Sequence, residues 1–138
     1  MRAKIHFDGA AKGNPGPAGY GFVIEFENRR VIQGYGYIGE TTNNVAEYHG
    51  LIEALTCAHR LGAKSIRVFS DSQLVVKQLS GEYRVKAEHL KELHARALRL
   101  LNHFEEAHIE FVERERNKEA DRLANEAIRR LAGGSDGR

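Results

Sequence analysis

The order of hydrophobic periodicities in this 138-residue chain predicts an α/β fold built on a mixed five-stranded sheet. Three antiparallel strands come first, two strands parallel to the first follow, and helices flank them. Three observations carry the prediction. Residues 2–38 hold three stretches of period-two alternation separated by short turn-like segments, a pattern that pairs antiparallel. Two later strand-like stretches are each entered through a helical stretch, and a strand reached that way lies parallel to its neighbour. The apolar stripes of the helical stretches need a sheet face to cover, which gives the order β-β-β-α-β-α-α-β-α.

Residues 2–8 read as the first strand, because Ala3, Ile5 and Phe7 alternate with Lys4 and His6. Gly9 to Gly16, with Asn14-Pro15-Gly16, is turn chemistry. Residues 19–26 and 30–38 form a hairpin about Glu27-Asn28-Arg29. A long helix is predicted over 43–61 from Val45, Tyr48, Leu51, Ile52, Leu55 and Ala58, with Gly62 as its stop. A strand at 64–70 buries Ile66, Val68 and Phe69, and a short helix at 72–80 carries Leu74, Val75 and Leu79. A second long helix spans 87–103 on Leu90, Leu93, Ala97, Leu98 and Leu101. Residues 107–113 return to strand, led by Ile109, Phe111 and Val112, and the last helix covers 118–131 with the stripe Ala120, Leu123, Ala124, Ala127, Ile128 and Leu131. Residues 1–132 form one domain, and the small polar residues 133–138 read as a flexible C-terminal tail.

Bulk properties exclude more than they assign. Net charge is only +2, so charge balance alone does not mark a nucleic-acid binder, although Arg114, Arg116, Lys118 and Arg122 gather about Asp121. No apolar run approaches the roughly 20 residues of a membrane span. The N-terminus lacks a signal-peptide layout, so a cytoplasmic monomer without a membrane partner is expected. The single cysteine, Cys57, falls on an apolar helical position and reads as a buried, inert thiol. Gly34-Tyr-Gly-Tyr-Ile-Gly39 matches a dinucleotide-binding string, yet Tyr35 and Tyr37 continue a strand alternation where that motif requires a turn. The seven histidines show no metal-ligand spacing. Lys91, Arg96 and Arg99 read as a solvated helix face.

Four carboxylates stand apart. Asp8 closes the first strand, Glu47 lies one turn into the first helix, Asp71 closes the fourth strand and Asp121 opens the last helix. Each alone has an ordinary reading. Asp8-Gly9 makes a turn, Asn44-Val-Ala-Glu47 makes a capping box with Asn44 as N-cap, Asp71 caps the short helix, and Asp121 suits a helix N-terminus. Together they read differently. Asp8 and Asp71 belong to strands that the connectivity makes parallel neighbours, and their carboxylates emerge at the rim where open sheets bind ligands. Like charges so close resist joint ionisation unless cations offset them, and an oxygen-rich anionic cluster suits hard divalent ions.

The ordered set Asp8-Gly-Ala-Ala-Lys-Gly-Asn-Pro-Gly-Pro-Ala-Gly-Tyr-Gly, Thr41-Thr-Asn-Asn-Val-Ala-Glu-Tyr, Phe69-Ser-Asp-Ser-Gln and Asn117-Lys-Glu-Ala-Asp-Arg-Leu-Ala-Asn resembles type 1 ribonuclease H, across about residues 1–132. The resemblance implies the ribonuclease H-like fold and hydrolysis of the RNA strand of RNA/DNA hybrids to 5′-phosphate products. It places the metal-binding acids on Asp8, Glu47, Asp71 and Asp121, served by two Mg²⁺ or Mn²⁺ ions when substrate is bound. It places substrate contacts on Asn14, Asn43, Asn44 and Gln73, with a phosphate pocket partly on Thr42. The helix start at Thr42-Asn43-Asn44 is expected to present free N–H groups to that phosphate. Two departures stand out. Where the bacterial type often carries a loop histidine this chain has Arg114, which cannot carry a proton near neutral pH but can attract a phosphate. A basic insertion between the middle helices is missing, leaving only Tyr83, Arg84 and Lys86 at that junction, as in an archaeal-like branch of the family; weaker substrate binding is expected. Alternatives are a hybrid- or duplex-binding module without catalysis, and a nuclease that also cleaves double-stranded RNA.

Overall fold

The computed structural model describes residues 1–132. The expected tail at 133–138 lies outside the described residues. The chain forms β1 (Arg2–Ala11), β2 (Gly16–Phe26), β3 (Val31–Thr41), α1 (Asn43–Arg60), β4 (Ser65–Ser70), α2 (Gln73–Ser80), α3 (Glu88–Leu101), β5 (Glu106–Phe111) and α4 (Lys118–Ala127). The sheet order is β3-β2-β1-β4-β5, with β1–β2 and β2–β3 antiparallel and β1–β4 and β4–β5 parallel. The element order and mixed sheet are those the periodicity predicts. Among the described residues no helix is long and apolar enough to cross a membrane.

Alternation along the strands sorts residues between two layers. Ala3, Ile5 and Phe7 of β1, Phe22, Ile24 and Phe26 of β2, and Ile66 and Val68 of β4 are buried in one core with Leu51, Ile52 and Leu55 of α1 and Leu90 and Ala97 of α3. The opposite parity faces α4: a Cβ on Gly21 would stand 2.5 Å from the Ala120 carbonyl oxygen and from the Leu123 Cβ. Glycine at that position lets the last helix lie directly on the sheet. Its apolar stripe Ala120, Leu123, Ala124 and Ala127 is buried there.

Several boundaries and surfaces differ from expectation. β1 continues past Asp8 to Ala11, because Gly9, Ala10 and Ala11 pair with Tyr20, Gly19 and Ala18 of β2; the turn shrinks to residues 12–15. Asp8-Gly9 is therefore strand rather than turn. The last helix is α-helical only to Ala127 and then widens into a π-helical turn, Ile128–Ala132, which leaves Leu131 half exposed. Leu74 and Phe111 are exposed as well. Cys57 is only half buried, and burial still raises its thiol pKa, in keeping with an inert group. Arg122 pairs with Glu119 at 3.0 Å, so the cationic group about Asp121 is looser than its spacing implied.

Candidate active site

Asp8 sits in mid-strand, opposite Gly21 of β2, and alternation turns it away from the Phe7 core. Its neighbour Gly9 lets α1 descend onto the strand. A Cβ there would stand 2.3 Å from the Ala46 carbonyl carbon and the Glu47 nitrogen, closer than any side chain permits. The helix that approaches carries Glu47, which is buried, with only 7% of its surface exposed. Asp71 follows the last residue of β4, in parallel register with β1 up to His6 and Phe69. Asp121 comes from the first turn of α4, where its N–H donates to the Asn117 carbonyl.

These elements bring oxygens of Asp8, Glu47 and Asp71 within 4.8 Å of one another. Asp121 stands outside that triple, but it lines the same cavity of about 490 Å³ and its carboxyl group helps raise the pKa of Asp8. Asp8 is thus central: it touches Glu47 and Asp121 and feels the charge of Asp71. Burial, then the Asp71 charge, pushes the Asp8 pKa from 3.8 up to about 8. Burial, and next the Asp8 charge, holds Glu47 well above the ordinary carboxylate range. Asp71 is also raised by burial, but the Arg114 guanidinium pulls the other way.

Such a group of acids is costly when ionised without a counter-charge. The Glu47 Oε1 is buried with no hydrogen-bond donor. A buried acceptor facing other carboxylate oxygens is an incomplete coordination shell, and an all-oxygen donor set fits a hard divalent cation. A larger cavity, about 680 Å³, opens among Arg2, Lys4, Glu25, Arg67 and Glu106. Its charges are mixed and no set of carboxylates converges there, so the chemistry belongs to the smaller one.

The other predicted residues divide. Asn43, Asn44 and Arg114 line the acidic cavity. Thr42 is the N-cap of α1: its Oγ1 accepts from Val45 N at 3.3 Å, which corrects the assignment of Asn44 and the capping box. The Asn14 Oδ1 accepts from Asn43 N at 3.0 Å, tying the β1–β2 turn to the helix start. The N–H groups of Asn43 and Val45 are therefore engaged, not free for a phosphate as expected. Ser72, not Asp71, caps α2, and Gln73 opens that helix as an exposed residue outside the cavity.

Three supporting residues escaped the sequence reading. Asn117, 1% exposed, donates from Nδ2 to the Phe7 carbonyl at 2.9 Å, and its amide beside Asp71 works to lower that acid's pKa. Lys12 and Asn125 line the cavity and bond each other. The spacing Asn117, Asp121, Asn125 puts these on one helix face and is the signal that could have found Asn117 and Asn125; nothing in the sequence points to Lys12.

The family model described as reverse transcriptase-like matches residues 6–127. A bifunctional protein of Mycobacterium tuberculosis is 45% identical over 130 residues, 93% of this chain and 36% of that protein. The ribonuclease HI of Halobacterium salinarum is 44% identical over 128 residues, 92% of this chain and 64% of that protein. The chain thus spans about a third of the first relative and under two thirds of the second. The solved N-terminal RNase H domain of the mycobacterial protein is 44% identical, with a TM-score of 0.93, covering 98% of this chain and 99% of that one. LC11-RNase H1, solved in complex with an RNA/DNA hybrid, is 40% identical with a TM-score of 0.87, covering 94% and 99%. Sheet order, acidic cavity and these likenesses agree: the chain belongs to the reverse transcriptase-like family and, within it, to the type 1 ribonucleases H.

Proposed function

We propose that the chain is a metal-dependent endoribonuclease that hydrolyses the RNA strand of RNA/DNA hybrids, leaving 5′-phosphate products. The observation that carries the proposal is the convergence of the Asp8, Glu47 and Asp71 oxygens within 4.8 Å around a buried, unpartnered Glu47 Oε1. In this reading residues 1–132 are the catalytic domain of a cytoplasmic monomer. Asp8, Glu47, Asp71 and Asp121 would hold two Mg²⁺ or Mn²⁺ ions when substrate is bound, with Asp8 at the centre of the four acids. The bound ions supply charge neutralisation of the phosphodiester and activation of the attacking water.

The chain's own residues set the geometry. Gly9 and the α1 backbone fix the Asp8–Glu47 approach, and Asn117, buried and anchored to the Phe7 carbonyl, favours the ionised form of Asp71. Arg114, exposed on a 3₁₀ turn beside Asp71, attracts the scissile phosphate by charge and transfers no proton. Asn43 and Asn44 at the cavity wall, with Asn14 behind Asn43, read the minor groove, where 2′-hydroxyls mark the RNA strand. Thr42 shapes that wall by capping α1, and Gln73 extends the contact from the start of α2.

The test compares a labelled RNA/DNA hybrid, an RNA duplex and a DNA duplex in Mg²⁺ or Mn²⁺, with EDTA as control. Cleavage confined to the RNA of the hybrid and abolished by EDTA is expected. Metal-independent cleavage, or binding without cleavage, would sink the reading.

A further inference from the structure

Of the acids other than Asp121, Asp8 takes a donor from neighbouring backbone and Asp71 is favoured in its ionised form by a buried side chain, whereas the Glu47 Oε1 has no donor. Gly9 N donates to the Asp8 Oδ1 at 2.9 Å, and Asn117 serves Asp71. The donor to Asp121 is Asn125, one helical turn on, and that residue is in turn held by a lysine from the other end of the sequence. We propose that Lys12 and Asn125 are positioning residues for Asp121, with Lys12 fixing the orientation of the Asn125 amide so that its nitrogen faces the carboxylate.

The geometry leaves one orientation. A side-chain amide can exchange its oxygen and nitrogen by rotating about its last bond, and only its partners choose between the two. The Lys12 Nζ lies 2.9 Å from the Asn125 Oδ1. An ammonium donates and never accepts, so the amide oxygen must take that side. The Nδ2 is then turned to Asp121, 2.9 Å from its carbonyl oxygen and 3.2 Å from its Oδ1. The reversed amide would set an oxygen against two oxygens and an NH₂ against an ammonium. Lys12 stands in the turn after β1 and Asn125 in the last turn of α4, and both line the acidic cavity. The hairpin turn thereby dictates which way the fourth acid points, through the amide of Asn125. Asp121 needs this support more than the others, because it lies outside the tight triple and is only half buried. The inference rests on the proposed nuclease reading for its kinetic consequence, not for its geometry.

Three substitutions separate positioning from simple cross-linking of turn and helix. Asn125→Asp keeps an acceptor for Lys12 and removes the donor to Asp121. Lys12→Met removes the orienting charge, and Lys12→Arg restores a pure donor. Supporting groups around metal ligands typically change affinity or activity by about 10–100-fold. Asn125→Asp is expected to lower kcat by about tenfold or more and to weaken Mn²⁺ binding, measured by calorimetry without substrate, by a similar factor. KM for the hybrid and the melting temperature should stay near wild type. Lys12→Met should show a smaller kcat loss and Lys12→Arg should recover it. In ¹⁵N–¹H spectra of the metal-free protein, the Asn125 side-chain NH₂ pair should shift in Lys12→Met and return in Lys12→Arg. Unchanged Asn125 resonances in Lys12→Met, or wild-type kcat and Mn²⁺ affinity in Asn125→Asp, overturn the proposal. A wild-type chain inert on the hybrid, with the lysine-dependent amide signal and Mn²⁺ effect intact, overturns the nuclease reading and upholds the positioning.

Discussion

Asp8 shows how a residue's surroundings choose among its possible roles. In sequence, Asp-Gly after an apolar run is a turn signal. In the fold the strand runs on for three residues, and the carboxyl group is buried against Glu47 and Asp121. Its pKa, raised to about 8 by burial and then by Asp71, means that the metal-free site holds a proton at neutral pH. A cation must displace that proton, so affinity for Mn²⁺ should rise with pH through neutrality toward about 8. Calorimetry in buffers of different ionisation enthalpy will count the proton released; none released at pH 7 would contradict the shift. Asp71→Asn keeps the shape of the side chain and removes one ligand charge. It is expected to leave the fold and melting temperature near wild type while lowering cleavage by about 100-fold or more. Near-native cleavage would remove Asp71 from the site. The bordering amides were only partly legible. Asn43 and Asn44 reach the cavity, whereas Thr42 and Asn14 act on the helix end, because capping depends on backbone angles that a residue's type does not reveal.

At the scale of elements, periodicity located the five strands and four α-helices of the described residues but misjudged their ends. Ends are set by pairing: β1 lengthens because Gly9, Ala10 and Ala11 find partners on β2, and α4 gives way to a π-helical turn near its contact with β3. The junction of β1 and α1 is the most demanding contact. Gly9 permits an approach that places Glu47 beside Asp8, and no rearrangement of a flexible side chain could relieve a Cβ there, since the colliding atoms are backbone. Gly9→Ala is expected to cost about 1–3 kcal/mol of stability through overpacking. It should lower cleavage more than that loss explains at a temperature where the protein remains folded, because α1 must back away with Glu47. Thermal melts and initial rates on the same sample check this; a stable variant with full activity would show that the close approach is dispensable.

Across the whole molecule, the acidic cluster opposes the fold that builds it. Asp8, Glu47 and Asp71 all have raised pKa values in the folded state. The folded chain therefore binds more protons than the unfolded chain between the two values. For Asp8 the window runs from 3.8 to about 8, so its contribution is greatest at the acidic end and is lost as pH rises through the folded value. Each pH unit across such a window is worth about 1.4 kcal/mol per proton. In EDTA, the melting temperature of wild type should fall relative to that of Asp8→Asn between pH 5 and 8. Divalent cation at pH 8 should close the gap. Parallel pH profiles for the two proteins would refute the linkage.

The sequence by itself determined the α/β class and the sheet connectivity and singled out four acids as a candidate site, because those follow from periodicity, crossover handedness and motif order along the chain. Only the tertiary structure decided that Glu47 loses a hydrogen-bond partner, that Asn117 serves Asp71, and that Lys12 reaches Asn125. Those facts depend on distances between residues far apart in the chain. They are fixed by how closely two backbones can approach, a quantity that glycine positions permit but do not specify.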